Sequence, residues 1–147
     1  FDENIGFDDL DDFGWNRPQL DLLVLTACET ASSRGSQGID ADLGFGGIAY
    51  RAGVRSTLAG LFEVSDTSAL PLSNLFYYYL LNGEIKAEAL EEAQIAMLNG
   101  DVSVVNGYIE FEDLPADLER IELPENVIDD LSLPYFWAGY TIIGNPW

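Results

Sequence analysis

The sequence predicts an α/β fold. Three observations carry that prediction. The run "LDLLVLTA", from Leu20 to Ala27, is almost continuously apolar with polar neighbours on both sides. A second such run, "VRSTLAGLF", spans Val54 to Phe62. Segments with apolar residues at helical spacing lie between and after them. Short apolar runs read as strands buried on both faces, and such strands belong to parallel sheets covered by helices.

The elements follow in order. Residues 1–19 are acidic, end in "NRPQ" and read as a loop or edge segment leading into the first strand. After that strand comes "ETASSRGSQGIDADLG", small, polar and rich in glycine, hence a loop. It is longer than most connections in compact domains, and such loops are often functional. "FGGIAYRAG" places Phe45, Ile48, Ala49 and Ala52 at helical spacing, and Gly53 can stop that helix in the left-handed conformation. The second strand follows. Ser65 or Asp66 caps the next helix, since either side chain can accept a bond from an orphan N–H. Pro71 then removes an early intrahelical bond and makes the first turn irregular. Leu72, Leu75, Phe76, Tyr79 and Leu80 form its apolar stripe, and Gly83 ends it. Of the three adjacent tyrosines, Tyr79 is assigned to the core, because three consecutive helical residues cannot all face inward. Tyr77 and Tyr78 are left to pack on a missing half of the fold or on a partner. A further helix from Ile85 to Asn99 carries Ala89, Leu90, Ala93, Ala96 and Met97 on one face and stops at Gly100. Asn106-Gly107 between alternating β-formers marks a hairpin. Residues 114–133 are acidic and punctuated by proline, an exposed excursion. "PYFWAGYTIIGNPW" supplies a third main strand, so the sheet has few strands and looks incomplete.

Bulk properties narrow the function. The 147 residues, 48% of them hydrophobic, suit one domain with a real core. The net charge of −20 argues against phosphate-backbone binding and disfavours anionic membrane surfaces; it suits basic peptides or partners, or is simply the charge of an acidic soluble bacterial protein. No apolar run reaches the ~20 residues that span a bilayer. One cysteine cannot form an internal disulfide, so a reducing cytoplasm is the expected compartment. The opening lacks Met and a signal peptide, and the chain is read as a piece of a longer protein.

Cys28 is that single cysteine, placed where the first apolar run turns polar. It is either a packed thiol, as most free cysteines are, or a nucleophile. Open α/β sheets place their sites beyond the carboxyl ends of the strands, which is its position. A nucleophilic thiol needs a base or a cationic neighbour, and the chain contains no histidine. Glu29, Glu63 and Asp66 would raise a thiol pKa rather than lower it. Arg34 lies in the loop and is assigned to solubility.

The segments "DLLVLTACETA", "GFGGIAYRAGVRSTLAGLFEVSDTSA", "FYYYLLNGEIKAEALEEAQIAML" and "PYFWAGYTIIGNPW", in this order, resemble the carboxyl-terminal part of a CHAT domain (caspase/HetF-associated with tetratricopeptide repeats). The resemblance covers nearly all of residues 1–147. It implies a caspase-like three-layer sandwich, present as its carboxyl-terminal half, with about three main strands, mostly parallel, plus a hairpin. It implies a cysteine endopeptidase of the caspase/separase type acting on a peptide or protein substrate without a cofactor or metal. The nucleophile of the family's "(S/T)ACET"-like motif maps onto Cys28. The caspase form, Q-A-C-x-G, shares only the Ala-Cys pair with this chain. The catalytic histidine lies on the preceding strand in this superfamily, in caspases about 50 residues before the cysteine. It therefore falls ahead of this chain, in an upstream half of the same domain. Tetratricopeptide repeats are the expected further partner.

Phe62, Val64 and Asp66 match the family's "W-x-V-x-D" motif with Phe in the aromatic place. Asp66 then lines the pocket for a basic residue before the scissile bond, or is simply a helix cap. Glu29 helps shape that pocket, or is a solvated surface residue. Asp40 and Asp42 lack the spacing of a calcium loop, so no metal is expected. "GFGG" is no phosphate loop, for there is no G-x-x-x-x-G-K-[ST] pattern, and close helix–sheet packing explains its glycines. The rival function is a non-catalytic interaction module with an inert Cys28. A flavodoxin-like binding domain is weaker, because no phosphate-cradling loop follows the first strand.

Overall fold

The computed structural model describes residues 19–26, 44–62, 66–105, 108–111 and 130–147. They form a mixed α/β structure with the elements β1 (Leu23–Val24), α1 (Gly44–Arg51), β2 (Ser56–Gly60), α2 (Asp66–Leu81), α3 (Lys86–Asn99), β3 (Val102–Val105), β4 (Tyr108–Phe111) and β5 (Tyr140–Gly144). The chain divides into two compact units. One comprises residues 1–63 and 140–146, the other residues 64–139 and 147.

The first unit holds a sheet in the order β1-β2-β5. β1 and β2 are parallel, with Leu23 opposite Thr57 and Val24 opposite Leu58. β5 is antiparallel to β2 and runs from Tyr140 opposite Gly60 to Gly144 opposite Ser56. This corrects the expectation of a mostly parallel sheet, since one of the two pairings is antiparallel. A parallel β5 would have to enter at the amino end of β2. Here the long connection after β2 hands the chain back at Tyr140, level with the carboxyl end of β2. β2 is the central strand, and all five of its residues are buried. β1 was expected to be buried on both faces over Leu20 to Ala27, and this too is corrected. Its regular ladder is two residues long and only half-buried. Among the described residues β1 pairs with β2 only, so it is the edge strand of the described sheet.

α1 lies against β2 and β5. Gly46 permits that approach. A Cβ there would stand 2.8 Å from Ile143 Cδ1 and 3.1 Å from Ala59 Cβ. Gly46 of "GFGG" thus serves close helix–sheet packing, as the sequence suggested. The amino ends of β1 and β2 are tied by polar bonds. Arg55 Nε donates to Gln19 Oε1 at 2.9 Å, and the Arg55 amide donates to the Leu20 carbonyl at 2.9 Å. The Ser56 hydroxyl donates to the Asn145 carbonyl at 2.6 Å, and the Asn145 amide to the Arg55 carbonyl at 2.8 Å.

The second unit is built on α2 and α3. Residues 82–85 join them, and so short a connection makes them an antiparallel pair. Leu72, Leu75 and Phe76 of α2 and Ala89, Leu90, Ala93, Ala96 and Met97 of α3 are all buried. At ~1.5–3 kcal/mol for each large side chain, this stripe dominates the unit's stability. Pro71 is tolerated inside α2. Polar side chains bond to carbonyls of the turn around it. Ser73 Oγ donates to the Ala69 carbonyl at 2.6 Å, and Asn74 Nδ2 to the Leu70 carbonyl at 2.7 Å. Gly100 ends α3 at φ 75°, and the Asp101 amide reaches back to the Ala96 carbonyl at 3.0 Å. This closes the left-handed cap expected there. Gly53 and Gly83 also take positive φ, as their assigned stops require. Tyr79 is half-buried rather than fully in the core. Tyr78 packs edge-on against Phe111 of β4, with centroids 5.6 Å apart. Its partner is therefore the hairpin of its own unit. That hairpin pairs Val105 with Tyr108, as a two-residue connection at Asn106-Gly107 requires.

Candidate functional site

The parallel arrangement of β1 and β2 sets their carboxyl ends on one side of the sheet. Along that edge the Leu25 amide donates to the Leu58 carbonyl at 2.9 Å. Thr26, the next residue, is exposed. β2 ends at Gly60, and Leu61 and Phe62 beyond it are 47% and 39% exposed. The sequence reading had carried the buried strand through both. They leave the core because β5 begins at Tyr140, opposite Gly60, and gives them no partner strand. The rim therefore combines a polar threonine with two solvent-facing apolar side chains. The polar ties described above lie at the opposite end of the sheet, so they fix the strands without occupying this rim.

The predicted site residues are not brought together by the described part of the chain. Cys28 and Glu29 lie outside the described residues, as do Arg34, Asp40, Asp42 and Glu63. The last described residue before Cys28 is Thr26. Asp66 is the first residue of α2, the position at which an acidic residue favours a helix amino end. Its side chain lies outside what the structure describes. Among the described residues, no group of three His, Cys, Asp or Glu could hold a metal ion. No described helix is long and apolar enough to cross a membrane.

Two carboxylates in the second unit titrate away from their ordinary values. Asp130 is held low because its Oδ1 accepts bonds from the Ser132 hydroxyl at 2.6 Å and the Ser132 amide at 3.0 Å. Glu84 is pushed up by a hydrogen bond with Glu88, by partial desolvation and by the charges of Glu88 and Glu92. Lys86, between them in sequence, is 6% exposed, and its ammonium donates to the Trp147 carbonyl.

The exposure of Leu61 and Phe62 escaped the sequence reading, because an apolar run carries no mark of where its pairing stops.

No curated protein and no solved structure matches the chain. One family does. A sequence model of the CHAT domain matches residues 2–145, almost the full length, and so takes in the strand, the "TACET" segment and the closing strand. On that match the chain belongs to the CHAT domain family, a caspase-like family.

Proposed function

We propose that this chain carries the nucleophile of a cysteine endopeptidase of the caspase/separase type, and that Cys28 is that nucleophile. The observation that carries the proposal is the "TACET" segment of a CHAT domain, which follows β1 directly in sequence at the carboxyl end of a parallel pair. Thr26 is two residues beyond Val24, and Gly60 is two residues beyond Leu58, the partner of Val24. Cys28 follows Thr26 by two residues more. In this reading the sheet is the carboxyl-terminal part of a caspase-like three-layer sandwich, and the side of β1 away from β2 receives the preceding strand of the domain.

The chemistry is acyl transfer. A histidine takes the proton of the Cys28 thiol, and Sγ attacks the scissile carbonyl carbon. Backbone N–H groups of the Cys28 loop hold the oxyanion. As the carbon–nitrogen bond breaks, the imidazolium returns the proton to the leaving amine. Water, deprotonated by the same imidazole, then cleaves the thioester and restores the thiol. The balance is one water consumed per peptide bond cut. The 147 residues contain no histidine, so the base comes from outside them. Asp66 and Glu29 favour a basic residue before the cut. Peptide or protein chains are the substrate, and tetratricopeptide repeats bring them to the site.

The missing histidine also favours a second reading, in which the domain is a non-catalytic interaction module and Cys28 is inert. One experiment separates the two. The chain is treated with a thiol-directed peptide probe carrying a basic residue, alone and mixed with the His-bearing half of the domain. The proposal expects slow labelling alone and at least ~100-fold faster labelling in the mixture, lost in Cys28→Ala. Labelling that the added half leaves unchanged means the module reading is correct.

A further inference from the structure

Asparagine loses its side-chain amide most readily when glycine follows it, because glycine has no Cβ to hinder the attack of its own nitrogen. The chain contains three such pairs, Asn82-Gly83, Asn99-Gly100 and Asn106-Gly107. Their covalent chemistry is the same, and the fold treats them differently. Ring closure needs the Gly nitrogen to lose its proton and to rotate about the Asn Cα–C bond until it meets Cγ. Two of the pairs sit at helix ends. The Gly83 amide donates to the Leu80 carbonyl at 3.1 Å, and the Glu84 amide beyond it to the Tyr79 carbonyl at 3.2 Å. The Gly100 amide donates to the Met97 carbonyl at 3.1 Å, and the Asp101 amide to the Ala96 carbonyl at 3.0 Å. A nitrogen whose hydrogen is held in such a cap resists both requirements.

The third pair is placed otherwise. Asn106 and Gly107 lie outside the described residues, but β3 and β4 flank them, and the pairing of those strands ends at Val105 and Tyr108. The hairpin is four residues long on each side and two strands wide, a size that is marginal by itself. Its far end is anchored. Val102 and Phe111 are buried, and the Phe111 ring lies edge-on to Tyr78 and Tyr79 at centroid distances of 5.6 and 6.3 Å. At the turn end Val105 is exposed and Tyr108 only half-buried. The hairpin therefore frays from the turn, and fraying lets the residues between the strands reach reactive geometry. We propose that Asn106 is the site at which this chain deamidates spontaneously, while the helix caps protect Asn82 and Asn99. The Gly107 nitrogen attacks Asn106 Cγ, the new carbon–nitrogen bond closes a succinimide, and the side-chain amide leaves with the Gly107 proton as ammonia. Water then opens the ring at either carbonyl. Opening at Cγ gives aspartate with the backbone unchanged. Opening at the main-chain carbonyl gives isoaspartate, whose link to Gly107 runs through Cβ and is one methylene longer. One water is consumed and one ammonia released. Two strands joined by two residues have no slack, so the longer link breaks the Val105–Tyr108 register. The inference does not depend on the chemistry of Cys28.

The test incubates the 147-residue chain in mildly alkaline buffer, folded and in urea, and follows each asparagine by tandem mass spectrometry. Isoaspartate is counted separately by labelling with an isoaspartyl methyltransferase. In the folded chain Asn106 should react at least about tenfold faster than Asn82 and Asn99, and in urea the three rates should come within about threefold of one another. Asn106→Gln should remove the fast reaction, since glutamine must close a larger ring. Asn106→Asp reproduces the first product and should keep the near-ultraviolet circular dichroism of the parent, because Asp-Gly suits the same turn. The isoaspartate fraction, separated chromatographically, should lose part of the tyrosine signal and melt lower. Equal rates at the three pairs in the folded chain, a faster reaction at Asn82 or Asn99, or no reaction at Asn106 in a folded chain whose urea sample reacts overturns the assignment. A difference that persists in urea overturns the role of the caps. An isoaspartate fraction that melts with the parent overturns the register argument.

Discussion

Replacing Gly46 by alanine tests whether α1 is held at its distance from β2 by close contact. Two opposing terms set the result. Alanine is the better helix former by up to about 1 kcal/mol, and this favours the variant. The new methyl group, however, would meet Ile143 Cδ1 at 2.8 Å, Ala59 Cβ at 3.1 Å and Thr57 Cγ2 at 3.4 Å. Favourable carbon–carbon separations are about 3.5–4.0 Å. Ile143 can turn its terminal methyl away. Ala59 cannot, because its Cβ is fixed to the central strand, so α1 must retreat by a few tenths of an ångström. Overpacking of this kind costs about 1–3 kcal/mol. The packing term wins, and the net loss should be up to about 2 kcal/mol. Urea unfolding followed by circular dichroism measures it, with an unchanged m-value confirming that the unfolded state is not what moved. The decisive comparison is with Ile143→Val, which deletes the nearest atom. Alone it should cost about 0.5–1.5 kcal/mol. In the Gly46→Ala background it should cost less or become favourable, a coupling of about 0.5–1.5 kcal/mol between the two sites. Strict additivity, or a Gly46→Ala chain more stable than the parent, would refute the packing argument.

Thr57 is fully buried in the central strand, and its hydroxyl finds no hydrogen-bond partner. Thr57→Val replaces that hydroxyl with a methyl group of similar size and should stabilise the chain by about 1 kcal/mol in the same urea assay, whereas a loss of that size would mean the hydroxyl is satisfied. The Glu84 carboxyl binds its proton more tightly in the folded chain than in the unfolded one, because of its hydrogen bond with Glu88, then desolvation and the charges of Glu88 and Glu92. Its destabilising effect is therefore absent in acid and develops as the pH rises through the raised folded value. Glu84→Gln should melt higher than the parent at about pH 7 and converge with it at about pH 4, and an unchanged difference between the two pH values would contradict the assigned cause.

What the sequence determined by itself is the set of elements whose evidence is local. The face of α3 bearing Ala89, Leu90, Ala93, Ala96 and Met97 is buried as its spacing demands. Gly53, Gly83 and Gly100 all adopt the positive φ that their positions after helices imply. The Asn106-Gly107 signal lies between strands in the register of a two-residue turn. Even the crowding at Gly46 was legible, since paired glycines next to a buried strand leave room for little else. Tertiary structure decided the matters that depend on residues distant in sequence. The direction of β5 follows from where the long connection returns the chain, and no apolar run encodes a direction. The half-burial of β1 follows from its place at the sheet edge, for the same "LDLLVLTA" would be covered if a strand lay on each side. The exposure of Leu61 and Phe62 follows from the start of β5, which ends their pairing. Likewise Leu72, Leu75 and Phe76 of the expected α2 stripe are buried, but that Tyr79 and Leu80 of the same stripe stay half-buried was decided by packing. The physical reason is common to all four. Hydrophobicity states that a surface is to be covered, whereas the identity of its cover is set by the topology of the whole chain.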